Sequence, residues 1–244
     1  MIGRVDIASS VLDGLQMAAQ QLLAATRAGT TGYDRDIQRR LMILNMMAYL
    51  IAFFSGVYAV LFAAYDYATY HQLVHVNLLL AAVALATPMI HRYDETAAGY
   101  MIAAAEYFAL FFFVKTLGRN SGIQLNFLVG AAAPFVILGL KRLGMVIAII
   151  AAGLALHLAA WFLYPAGAAA IPEDPTLLAN LYVNSALTSF AVVATIVYYA
   201  FRLADKAEAE TDALLNNVLP ASIAERLKER PDSAIFDSVT DASV

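Results

Sequence analysis

Six long apolar stretches dominate this sequence, at 41–64, 71–90, 96–117, 122–140, 143–164 and 178–202. Each is close to the roughly 20 residues that a helix rising about 1.5 Å per residue needs to cross a hydrocarbon layer. Only 14% of the 244 residues are charged, against about 25% in a water-soluble domain. The chain lacks the polar surface to hold six such helices in water. It is therefore predicted to be an all-α membrane protein with six transmembrane helices. Short links predict antiparallel neighbours. Pro88 and Pro134 fall within spans, where a proline kinks a helix without ending it.

Placing the N-terminus in the cytoplasm leaves only Lys115 and Arg119 of the fifteen Lys and Arg residues outside. That asymmetry follows the positive-inside rule, and an even span count then puts both termini in the cytoplasm. The N-terminus lacks the basic run, short apolar core and cleavage site of a signal peptide. A net charge of −4 gives no footing for nucleic acid. The absence of cysteine excludes a disulfide framework, a thiol nucleophile and a cysteine-bound metal. The expected first partner is the lipid bilayer.

Three regions follow. In residues 1–40, Val5, Ala8, Leu12, Leu15, Ala19 and Leu22 recur at helical spacing, predicting a cytoplasmic amphipathic helix before a turn flanked by Gly29 and Gly32. Residues 41–202 form the six-span membrane domain. Residues 203–244 are a cytoplasmic helical linker. The sixth span runs on without glycine or proline to about Leu219, and Ala200, Ala204, Ala207, Thr211, Leu214 and Val218 form a weak coiled-coil seam. A seam this poor in large side chains suits an element that changes register, or a helix that packs elsewhere. Asp205, Glu208, Glu210 and Asp212 make a solvated face.

The linker then reads LLNNVLPASIAERLK from Leu214 to Lys228. This resembles the helical transducer that precedes the catalytic core of class III nucleotide cyclases. The matching residues are Leu214, Leu215, Asn217, Leu219, Pro220, Ile223, Ala224, Arg226, Leu227 and Lys228. Six spans before such a transducer resemble the membrane domain of bacterial adenylate cyclases with one catalytic domain per chain. The resemblance implies a homodimer joined through the last span and transducer, in the inner membrane of a bacterium. It also implies a catalytic core outside this sequence that converts ATP to cAMP with Mg or Mn. No catalytic residue is assigned here, and residues 1–244 alone are expected to be inactive.

Polar groups inside the spans are the candidate sites, because a charge near the bilayer centre costs several kcal/mol. Glu106 lies about ten residues into its span, roughly 15 Å from the inner face. It reads either as a ligand-binding or proton-linked carboxylate or as a hydrogen-bonded acid joining two helices. On the outer side, LGRNSGIQLNF (117–127) offers Arg119, Asn120, Gln124 and Asn126 beside Lys115. These could bind an anionic or carbonyl-bearing small molecule, or simply cap helices while the cations snorkel. Asp66, Glu173 and Asp174 would form an acidic outer rim.

His71 and His75 share a helix face, and His75 and His157 lie at matching depths of about 24 and 21 Å. Such a pair suits a b-type haem or a metal ion, although a lone buried histidine is more often hydrogen-bonded. His91, beside Arg92 at the inner boundary, reads as solvated. Tyr65, Tyr67, Tyr70, Trp161 and Tyr164 make an outer aromatic belt. The small-residue runs GAAAP (130–134) and AAGLALHLAA (151–160) permit close helix approach. The leading functional reading is a membrane receptor domain that passes a signal through the last helix to a cyclase dimer. The alternatives are a passive anchor, a haem or redox sensor, and, last, a transporter.

Overall fold

The computed structural model describes residues 24–218, with 17, 20 and 21, and no strand occurs among them. The helices are α1 (Arg35–Ile90), α2 (Ala97–Leu117), α3 (Val129–Leu138), α4 (Leu143–Leu163) and α5 (Pro175–Val218), with 3-10 turns at Arg119–Ser121, Ile123–Leu128 and Leu140–Arg142. Four of these, α1, α2, α4 and α5, the α4 stretch counted from Leu140, are long and apolar enough to cross a membrane.

Helix α1 holds 56 residues and would be about 84 Å long if straight. It is not straight, because Asp66 leaves helical geometry (φ −163°, ψ 93°). Contacts across the break show a hairpin. Phe62 stacks on Tyr70 at 5.6 Å, while at the far ends Asn45 meets His91 at 2.9 Å. The stretches expected at 41–64 and 71–90 are thus the two arms of α1, running antiparallel. The Asp66 carboxylate accepts the N–H groups of Ala68 (3.1 Å) and Thr69 (3.4 Å), capping the second arm. Asp66→Ala is expected to destabilise the detergent-solubilised chain by about 1 kcal/mol, and Asp66→Asn by much less. Equal thermal unfolding of the alanine variant and the parent would show that the cap does not hold the turn.

The stretch expected as one helix at 122–140 is two. A 3-10 segment precedes α3, and Gly139 (φ 70°) ends it. The tighter winding extends its reach. Six residues at about 2.0 Å and ten at about 1.5 Å span roughly 27 Å, nearly a full hydrocarbon thickness. Arg40 donates to the Leu138 carbonyl at 3.1 Å and closes the end of α3.

Two apolar clusters hold the bundle. One gathers Phe62, Leu73, Leu110, Val114, Phe127 and Leu181 among others. The second is rich in small residues, with Leu44, Ala48, Ala52, Ala84, Ala98 and Ile102, which lets the α1 arms and α2 approach closely. The small-residue runs do similar work. Tyr107 of α2 packs against Gly130 of α3 and Gly153 of α4, where any Cβ would meet its hydroxyl, and donates to the Ile149 carbonyl at 3.1 Å.

The chain divides into two compact units, Met1–Ile196 and Val197–Val244. In the second, residues 197–218 are described, as the last part of α5. The seam positions Ala200, Ala204, Ala207, Thr211 and Leu214 are exposed. The N-terminal helix expected from Val5 lies largely outside the described residues, as do Leu219, Pro220 and Arg226 of the transducer motif. Leu215 and Asn217 fall within α5.

Candidate functional site

The bundle forms a cavity of about 510 Å³, within the range of small-molecule sites. Both arms of α1, α2, α3 and residues 181–192 of α5 line it. Its wall is mainly apolar, with Leu44, Phe54, Ile102, Leu110, Pro134 and Leu181 contributing. The bundle forms such a space because Gly99, Ala103, Gly130 and Ala133 place little side chain on the α2 and α3 walls.

Glu106 lies in this wall, on α2 between the buried Ile102 and Leu110. Among the described residues its carboxyl has no hydrogen-bond or ion-pair partner. Lys115, the nearest cation in its own span, is exposed at the end of α2 and does not line the cavity. Of the other polar wall groups, Asn77 donates to the Leu73 carbonyl at 2.8 Å. Asn126 donates to the Ile123 carbonyl (3.1 Å) and accepts from the Ser189 hydroxyl (3.2 Å). Asn184 of α5 donates to the Tyr58 hydroxyl of α1. Two of these bonds tie α5 to the rest of the wall.

The six candidate ligand residues therefore separate. Glu106 and Asn126 line the cavity, whereas Lys115, Arg119, Asn120 and Gln124 do not. Arg119 lies over the Trp161 ring, 4.5 Å from its centroid. Gln124 is buried and donates to the Arg119 carbonyl at 2.8 Å. Lys115 and Asn120 are exposed. Asp66, Glu173 and Asp174 are engaged by backbone. Glu173 accepts from Gly167 N–H at 2.9 Å, and Asp174 caps α5 through Thr176 and Leu177. The Tyr65 hydroxyl also donates to Asp174, the largest of the effects holding that carboxyl below the usual carboxylate range.

The His75 and His157 rings have different neighbours. His71 and His75 are ring neighbours at 6.2 Å, and His75 Nε2 bonds the Tyr67 hydroxyl at 3.2 Å. His157 Nδ1 is 2.9 Å from the Gln124 carbonyl, and its ring meets Phe127. No hydrogen bond or ring contact joins His75 to His157. Among the described residues no three His, Asp or Glu side chains are grouped to hold a metal ion.

His91 is a correction. It is fully buried, with Nε2 at 2.9 Å from Asn45 Oδ1. Its carbonyl accepts from the Tyr33 hydroxyl. The turn before α1 folds over it, anchored by Asn45 donating to the carbonyls of Thr26 (2.9 Å) and Ala28 (2.8 Å). Asn45, Asn77 and Asn184 were the missed polar residues. The signal was present, since an amide inside an apolar span needs a partner as a charge does.

Comparison with known proteins adds an independent observation. The MASE7 family model matches residues 30–213. Adenylate cyclases of Mycobacterium bovis and of two strains of Mycobacterium tuberculosis are each 29% identical over 225 residues, covering 89% of this chain and 50% of theirs. The chain thus spans about half the length of the curated relatives it matches.

Proposed function

The chain belongs to the MASE7 family, and on that premise we propose that it is the membrane sensing and dimerisation module of an adenylate cyclase. The observation that carries the sensing role is the cavity with Glu106 in its wall. An unpartnered carboxyl inside a membrane bundle is costly, and a passive anchor has no use for it. Residues Leu181, Asn184, Ser185, Thr188 and Val192 of α5 line the same cavity, and α5 continues as one helix to Val218. A ligand that fits one position of α5 better than another biases that helix. The signal then passes through residues 203–244 to a cytoplasmic catalytic dimer forming cAMP.

In this reading the two arms of α1, α2, the 3-10 and α3 pair, α4 and α5 make six spans. The bias of Lys and Arg puts both termini on the cytoplasmic side of a bacterial inner membrane. The weak seam of α5 and the motif beginning at Leu214 form the homodimeric transducer.

The test fuses residues 1–244 in frame to a class III catalytic domain and measures cAMP formation in native-lipid membranes. Glu106→Gln and the cavity-filling Ala103→Phe are expected to change the rate by about 5-fold or more, the lower end of usual allosteric couplings. A rate indifferent to both substitutions would leave the domain a passive anchor.

A further inference from the structure

We propose that the cavity around Glu106 binds a lipophilic amine, an apolar chain bearing one ammonium group, that enters from the bilayer. As the signal for the module this rests on the sensing role above. As a binding site it can be tested on this chain alone.

Three observations set the ligand's chemistry. The first is charge. Among the described residues Glu106 is the one carboxyl in the cavity wall, and no Lys, Arg or His side chain lines it. The wall offers the carboxyl no counter-charge, so a cationic ligand gains a charge-assisted hydrogen bond that a neutral one lacks. A fatty acid would set a second carboxyl beside the first, with no cation in the described wall to favour it.

The second is hydrogen-bond polarity. The amide nitrogens of Asn77, Asn126 and Asn184 are already donating to protein acceptors. Asn77 and Asn184 keep their carbonyl oxygens, and the Ser55, Ser185 and Thr188 hydroxyls in the wall can also accept, so a ligand that brings donors finds acceptors here. An ammonium supplies up to three.

The third is access. Leu50, Phe54 and Leu61 line the cavity yet are 51, 53 and 56% exposed, so it opens along the first arm of α1. The mouth is made of large apolar side chains at the depth of lipid tails. A lipophile crosses such a mouth at little desolvation cost, whereas a hydrated metal or inorganic cation must shed its water to do so.

The experiment places chain Met1–Val244 in nanodiscs of neutral lipid. Three diazirine-tailed probes of equal length are compared: dodecylamine, dodecanol and dodecanoic acid. Photolabelled residues are mapped by mass spectrometry, which separates site occupancy from partition into bulk lipid. Dodecylamine is expected to label Phe54, Tyr58 or Thr188 saturably, and untagged amine to compete. Dodecanol and dodecanoic acid should need at least about 10-fold higher concentrations, the equivalent of one charge-assisted bond. Glu106→Gln, which keeps the shape, should erase the preference for amine over alcohol.

Equal labelling by all three probes would overturn the proposal, as would an amine preference that survives Glu106→Gln. So would the absence of labelling at the mouth, the result expected if a second copy of the chain covers it. The map on the parent chain decides the matter even if a variant fails to fold. Amine binding that leaves the fusion's cAMP output unchanged would remove the sensing role and leave the site standing.

Discussion

Gly122→Ala is expected to lower the stability of the membrane unit by about 3 kcal/mol, for two reasons that add. Gly122 has φ +69°, a conformation that costs an L-residue about 1–2 kcal/mol. A Cβ there would also lie 2.8 Å from Tyr182 Cα and 2.6 Å from Tyr182 Cδ2. The ring can turn, but Cα belongs to the α5 backbone, so the helix itself must move. Overpacking of that kind costs about 1–3 kcal/mol. Gly144→Ala is the matched control. Gly144 lies in α4, and a Cβ there meets nothing within 4 Å. That change should be neutral or stabilising by up to about 1 kcal/mol. Thermal unfolding of both variants in one detergent gives the comparison, and similar midpoints would show that Gly122 is not a close-approach point. The consequence reaches function, because α5 meets this turn at Tyr182 and the cavity wall at Asn184 and Ser189. Displacing α5 at Gly122 should therefore also alter the output of the cyclase fusion.

How much of this could be read from the sequence depends on the range of the interactions. Hydropathy is local. It located the apolar helices, and Asp66 falls in the gap it left between the first two stretches. Gly29 and Gly32 were legible as flanking a turn because positive φ is a property of single residues. The transducer resemblance was carried by residues from Leu214 onward, and the MASE7 match covers 30–213, so the two observations rest on different parts of the chain.

Rotation about a helix axis was not legible. Depth counting set His75 and His157 level, but each ring is held by a different neighbour. Nor could depth alone show that Glu106 shares a wall with Asn126 and not with Arg119 or Gln124. His91 was misread because its partner lies 46 residues away, and no local window contains both.

That long-range contact carries the second large effect. Asn45→Leu is expected to cost about 3 kcal/mol and to release the turn before α1. Asn45 is fully buried and satisfies three groups at once, the carbonyls of Thr26 and Ala28 and the His91 ring. Leucine keeps the branched heavy-atom skeleton but offers none of these bonds. Each buried group left without a partner costs about 1–3 kcal/mol, less where water can reach it. Thermal unfolding gives the loss, and limited proteolysis should cut near Gly29 and Gly32 faster in the variant. A pH series adds a second reading. Burial lowers the His91 pKa, and the ring's Nδ1 has no hydrogen-bond partner among the described residues. The unfolded chain thus binds a proton more readily than the folded one. Stability should be full above the ordinary histidine value of about 6.5 and should fall as pH drops below it toward the lowered folded value. His91→Asn should flatten that part of the profile. A parent chain equally stable on both sides of that range would show that His91 is not held neutral by its burial, and the closed turn would then need another explanation than the Asn45–His91 pair.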